Sequence, residues 1–205
     1  MSAVFISLEG SEGAGKSSLM RVVGKWLEDR GDTVVSCREP GGTPTGEAIR
    51  DILLDRSRSG ILPLTELLLI FASRSQLLEQ TIKPALAAGK SVICDRFVDA
   101  SYAYQGGGRQ QPLEQIKQLQ QLVVAETMPK LTILLDVPVK IGLLRAQKTG
   151  EPDRFESEQR VFFERVRKAY LQRARQHPER IVVVDASARQ SAVRKQILSI
   201  LEQRL

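Results

Sequence analysis

The chain has 205 residues, 42% of them hydrophobic and 26% charged, enough for a sizeable core, and it contains no run of about 18 apolar residues, which excludes a spanning helix. A formal charge of +6 and a pI near 9.5 suit polyanionic ligands. The basic residues are scattered, however, with no basic tail and no aromatic-rich RNA-binding signature, so phosphorylated small molecules are expected as partners, with no nucleic acid and no membrane.

In chain order, "AVFISLE" (3–9) predicts a short strand that is apolar on both faces. It runs in from Met1 without a secretory signal, so a cytoplasmic location is expected. Next comes Gly10-Ser11-Glu12-Gly13-Ala14-Gly15-Lys16-Ser17, followed by Ser18, which matches G-x-x-x-x-G-K-[ST] between a strand and a helix. In such a loop, backbone N–H groups and a helix N-terminus cradle the phosphates of ATP, Lys16 reaches the β and γ phosphates, and Ser17 holds Mg²⁺. Glu12 puts a carboxylate in a loop built for anions. Either it points away from the donor phosphates toward a second ligand, or it is a solvent-facing side chain of no consequence. Leu19, Val22, Val23, Trp26 and Leu27 then form the apolar stripe of the first helix.

A second strand is expected at 33–37, ending at Cys37. A long helix follows, with Leu64, Leu67, Leu68, Phe71, Ser75, Leu78 and Ile82 on its stripe and further apolar residues around it, so that it is covered on more than one side by this chain or by a second copy. The third strand (91–95) carries Cys94 and ends at Asp95, with Arg96 next. A carboxylate suited to the metal side followed by an arginine points to a second phosphate group to be held. Both cysteines read as buried structural thiols, and with His177 as the sole histidine a Cys/His zinc site is unsupported. Strands at 131–136 and 180–185 and a helix carrying Val193, Ile197, Ile200 and Leu201 complete the alternation of a parallel sheet with helices on both faces, a single α/β domain over 1–205. Guanine-reading N-K-x-D and a D-x-x-G segment are missing, as is an Asp-Glu pair of the motor ATPase kind.

The P-loop, "REPGGTPTGEAIR" (38–50), "FASR" (71–74), "DRFVDASYAYQGGGR" (95–109) and "GEPDRFE" (150–156) together resemble the bacterial thymidylate kinases, in order and spacing, over essentially the whole chain. The resemblance implies a five-stranded P-loop kinase fold, a homodimer, and Mg²⁺-dependent transfer of a phosphoryl group from ATP to dTMP. It implies that Arg96 and Arg50 hold the dTMP phosphate, that Phe71 stacks on thymine, that Arg74 donates to the base, and that Ser101 and Gln105 meet its remaining polar edge. Tyr104 would lie under the sugar, Pro40 would wall the pocket, Glu12 would reach the sugar hydroxyl, and Asp95 would serve acceptor and metal together with Ser17.

Each residue also has a structural reading. Phe71 sits on a core stripe, Arg50 is placed to pair with Glu47, and Gln105 is placed to cap a turn. Some family members carry an arginine directly after the acidic P-loop residue; here that position is Gly13. Relatives with this glycine take the missing cation from a mobile lid, expected here within about 145–156 and broken by Thr149, Gly150 and Pro152, where Arg154 first, Arg145 second and then Lys148 offer the charge. Two alternatives compete with dTMP phosphorylation. One is a kinase for another nucleoside monophosphate or a deoxynucleoside, separated by Phe71, Arg74 and Gln105; the other is a nucleic-acid-stimulated P-loop ATPase, separated by its salt dependence.

Overall fold

A computed structural model describes residues 3–58, 60–148, 153–156 and 158–205. Five strands, β1 (Phe5–Glu9), β2 (Val34–Arg38), β3 (Ser91–Asp95), β4 (Leu131–Asp136) and β5 (Ile181–Asp185), form one sheet in the order β2-β3-β1-β4-β5. Every pairing is parallel, as the apolar, helix-separated strands predicted. The strand order reverses beside β1, so a crevice opens at the carboxyl ends of β1, β3 and β4, which is where ligands lodge in such sheets.

Alternation along the strands divides the core. Ile6, Leu8 and Ile93 point to one face, where they meet Leu19, Val23 and Leu27 of α1 (Lys16–Asp29) and Val193, Ile197 and Leu201 of α9 (Gln190–Arg204). Phe5, Val92 and Cys94 point to the other, against Leu67, Phe71 and Leu77 of α3 (Pro63–Leu77). Register puts Phe5 opposite Val92 and Ile6 opposite Ile93, so neighbouring strands send their large side chains the same way. Glu9 falls on the Phe5 face, which carries the acceptor side of the crevice.

The long apolar helix is built in three parts: α3, a π-helical stretch over Leu78–Ile82, and α4 (Lys83–Ala87). The π turn shifts the period, so Leu77, Leu78 and Ile82 all reach the core. On the opposite side Leu64 and Leu68 stay about half exposed, at 48% and 50%. The remaining helices are α2 (Pro44–Leu54), α5 (Val98–Ser101) with its π-helical continuation Tyr102–Gly108, α6 (Leu113–Val123), α7 (Val139–Ala146) and α8 (Arg160–Gln176). Thr149, Gly150 and Pro152, expected to break the lid, lie outside the described residues.

Leu27 of α1 is fully buried in the core cluster between that helix and the sheet. Leu27→Ala is expected to lower unfolding free energy by about 2–5 kcal/mol in urea titration while leaving the m-value unchanged.

Candidate active site

The loop between β1 and α1 closes only on glycine. Gly10, Gly13 and Gly15 have φ of 142°, 67° and 91°, conformations that side-chain-bearing residues avoid. Gly13 has a second reason: a Cβ there would run into the carbonyl oxygen of Gly142 in α7, and a Cβ on Gly142 would stand 2.6 Å from the Glu12 carbonyl oxygen. The loop and α7 thus meet backbone to backbone, and an arginine after Glu12 has no room. Lys16 folds its Nζ back to the carbonyls of Gly10 (3.3 Å) and Ser11 (3.5 Å), rimming the loop. Burial and the neighbouring Arg96 lower its pKa, against the pull of Asp95, Glu12 and Glu9.

Arg96 follows β3 with φ at 69°, an unusual conformation for a residue with a side chain, costing on the order of 1–3 kcal/mol. Its neighbours hold it there. The Arg96 N–H donates to Leu8 O at 2.9 Å, and the next N–H, of Phe97, donates to Glu9 Oε1 at 2.7 Å. The turned backbone aims the guanidinium across the crevice, where Nη1 donates to Gly10 O (2.8 Å) and Tyr170 Oη (3.3 Å) and Nη2 donates to Glu12 Oε1 (2.7 Å). Tyr104 lies under it, 4.7 Å from ring centre to guanidinium carbon, and donates to the same Glu12 oxygen at 2.8 Å. Burial would raise the Glu12 pKa, but Arg96, Lys16 and the two donated hydrogen bonds outweigh it and keep the carboxyl below its usual range. Glu12 is therefore an anion paired with a cation inside the crevice.

Two cavities share this pair. The larger, about 540 Å³, is lined by the P-loop from Glu12 to Ser18, by Asp95 and Arg96, and by Arg50 and Arg145. The smaller, about 120 Å³, is lined by Glu12 and Arg96 together with Pro40, Arg50, Arg74, Ser101, Tyr104 and Gln105. Arg50 borders both. Its Nη1 donates to Pro40 O at 2.9 Å, while Glu47, the partner that helix spacing suggested, pairs with Arg38 at 2.8 Å. Burial, then the nearby Arg38 cation, lower the Arg50 pKa, against the pull of Glu47 and Asp153. Asp95 Oδ1 is buried with no hydrogen-bond partner among the described residues, and Ser17 is exposed in the same cavity.

Arg74 is 1% exposed and is held by Glu39 (2.6 to 3.0 Å), Ser101 Oγ (3.0 Å) and Phe97 O (3.3 Å). Two expectations are corrected here. Phe71 does not line the pocket: it lies in the core, 2% exposed, with the Arg74 guanidinium over its ring at 4.5 Å, and Ile70, one residue earlier, lines the pocket instead. Arg154 does not line the donor cavity: Nη2 donates to the buried Glu66 at 2.7 Å and Nε to Leu53 O at 2.6 Å. The order expected for the lid cations is thus reversed. Arg145 borders the cavity, donating Nη1 to Ala186 O at 2.8 Å, and Lys148 is exposed outside it.

A model of the family described as Thymidylate kinase matches residues 8–197. The chain belongs to the thymidylate kinase family. It is 52% identical over 201 residues to the thymidylate kinase of Ectopseudomonas mendocina, covering 98% of this chain and 96% of that one. It is 50% identical over 198 residues to that of Nitrosomonas europaea, covering 97% and 92%. The crystal structure of thymidylate kinase from Ehrlichia chaffeensis superposes with a TM-score of 0.79 at 30% identity, covering 98% and 99%. The fold is therefore that of the thymidylate kinases, a P-loop kinase fold.

Sequence reasoning missed four residues in this thymidylate kinase site: Glu9, Glu39, Glu66 and Tyr170. Glu9 carried the best signal, as a carboxylate closing an all-buried strand. It accepts from Phe97 N and from Tyr170 Oη, each at 2.7 Å. Burial and the nearby Asp99 push its pKa up from 4.5 to about 8. A carboxyl raised in the folded state stabilises most below its unfolded pKa, and that contribution fades as pH climbs through the folded one. Between about pH 4.5 and pH 8 the native protein is expected to lose stability that Glu9→Gln does not lose, giving a flatter plot of melting temperature against pH; parallel plots would place the proton elsewhere.

Proposed function

We infer that this family member transfers the γ-phosphoryl group of ATP to dTMP, yielding ADP and dTDP for dTTP and DNA synthesis. The observation that carries the reading is that a P-loop cavity and an acceptor pocket are joined at the Glu12–Arg96 pair and Arg50. A transferring phosphoryl group has to sit between two anions, and cations at that junction are what such a step requires.

On the donor side, the backbone from Gly10 to Ser18 cradles the ATP phosphates, Lys16 meets the β and γ groups, and Arg145, beside a cavity of about 300 Å³ next to Ala186 and Val193, covers the adenine end. Ser17 and the unpartnered Asp95 Oδ1 fit a divalent cation and would hold Mg²⁺. When bound, Mg²⁺ neutralises phosphate charge. On the acceptor side, Arg96 and Arg50 hold the dTMP phosphate, whose oxygen is already anionic and attacks without a general base. Arg74, Ser101 and Gln105 meet the base, Tyr104 and Pro40 wall the sugar and ring, and Glu12 accepts from the sugar hydroxyl. The lid is assigned within about 145–156, where Arg145 borders the P-loop cavity.

The exposed leucines of α3 and α6 support a homodimer. Leu64 and Leu68 on the first and Leu122 (80% exposed) on the second lie on helices that touch each other, an apolar face that a second copy would cover. No helix among the described residues is long and apolar enough to cross a membrane. Cys37 and Cys94 are register partners on β2 and β3 yet both are free thiols, which supports a reducing cytoplasm.

Coupled ADP release with dTMP, dUMP, dCMP, dGMP and AMP is expected to show preference for dTMP; equal turnover of all five would end this reading. Arg50→Ala is expected to raise KM for dTMP roughly tenfold or more with KM for ATP little changed, the scale of one charge-assisted contact. In light scattering, Leu68→Glu combined with Leu122→Glu is expected to give monomers; a persistent dimer would place the interface elsewhere.

A further inference from the structure

Glu66, in the first turn of α3, is fully buried and draws three side chains onto one carboxylate. Gln105 Nε2 donates to its Oε1 at 2.9 Å, Arg109 Nε lies 3.2 Å from both oxygens, and Arg154 Nη2 donates to Oε2 at 2.7 Å. Arg109 continues to Glu158, and the rings of Phe155 and Phe162 pack under it. Glu66 borders neither the donor cavity nor the acceptor pocket, so substrate does not account for it.

A carboxylate gripped by two guanidinium groups is ionised and can only accept. The end of the Gln105 amide that meets Glu66 is therefore its NH₂. The reverse orientation would set two acceptors against each other in a buried site, a cost about as large as losing the hydrogen bond outright. The carbonyl end of Gln105 is left with no partner within the protein among the described residues, on a side chain that lines the acceptor pocket. Arg74 lines the same pocket, and with Nε and Nη2 committed to Glu39 and Phe97 O and one Nη1 hydrogen to Ser101, a single Nη1 hydrogen remains. On Arg74 and Gln105 the pocket thus presents one donor and one acceptor whose order is set from behind.

We propose that Glu66 is a positioning residue that sets base selectivity: by locking the Gln105 amide with its carbonyl toward the ligand, it matches a pyrimidine edge that carries a carbonyl oxygen beside a ring N–H. The inference rests on the dTMP reading above. Cytosine presents the opposite pattern, an exocyclic amine beside an unprotonated ring nitrogen, and would face donor with donor and acceptor with acceptor. Thymine and uracil share the matched edge, so Glu66 cannot tell them apart. Discrimination of the 5-methyl group must come from other walls of the pocket.

The test measures kcat/KM for dTMP, dUMP and dCMP with the native enzyme and with Glu66→Gln, whose amide can donate to Gln105 and lets that side chain turn round. The ratio of dTMP to dCMP is expected to fall by roughly tenfold, the scale of one mispaired hydrogen bond, while the ratio of dTMP to dUMP stays put. Equal losses on all three substrates, or a parallel change in both ratios, would show a merely structural role and overturn the proposal. A native enzyme without preference for dTMP over dCMP would instead overturn the acceptor reading on which it rests. If Glu66→Gln fails to fold, Glu66→Asp, an acceptor one methylene shorter, takes its place: a fall of about threefold in the dTMP to dCMP ratio supports the proposal, and an unchanged ratio overturns it.

Discussion

The ion pair between Arg96 and Glu12 organises the molecule's working end. It requires a backbone conformation at Arg96 that the chain would not choose by itself, and the surrounding structure supplies the restraints: a ladder bond to Leu8, a buried Glu9 under the following N–H, and Tyr104 beneath the guanidinium. Those restraints come from β1 and from the π-helical stretch Tyr102–Gly108, while Arg96 itself follows β3, so the pair exists only when the sheet is assembled. In return it fixes the boundary between the larger cavity over the P-loop and the smaller pocket behind it, and it holds a carboxylate ionised where the two meet. A cation alone at that point would bind phosphate indiscriminately, and an anion alone would repel both ligands. Paired, they leave a neutral seam that Arg50 and Lys16 bias toward positive.

Much of this was legible in the residues. The five strands were marked by short β-branched runs, and their parallel pairing followed from the helices between them, because burial on both faces leaves no polar alternation to misread. The P-loop was explicit, since its glycines answer a local backbone demand that no packing can override. Arg50 was ambiguous from spacing, because Glu47 stood three residues away; the fold gave Glu47 to Arg38, and only assembled geometry makes that choice.

Where the reading failed, the cause was direction rather than identity. Phe71 and Ile70 are neighbours on one helix, and which of them faces a pocket depends on a rotation of about 100° that no apolar stripe resolves when most of the turn is apolar. Arg154 was expected over the donor because relatives with a glycine after the acidic P-loop residue draw a cation from that segment, but a buried carboxylate on α3 has the prior claim. Glu9 and Glu66 were missed because an acid at the edge of an apolar run reads as surface until its cationic or N–H partner, often far along the chain, is known, and Glu39 because its partner Arg74 lies 35 residues away.

The contact between Gly13 and Gly142 has a mechanical consequence. With no side chain on either, the phosphate loop and the start of α7 abut as two rigid backbones, and neither can shift without displacing the other. Arg145 stands at the far end of that helix. Arg145, one turn on from Gly142 in the same short helix, is thereby seated against the phosphate loop, so that loop and cation form one continuous wall of the larger cavity.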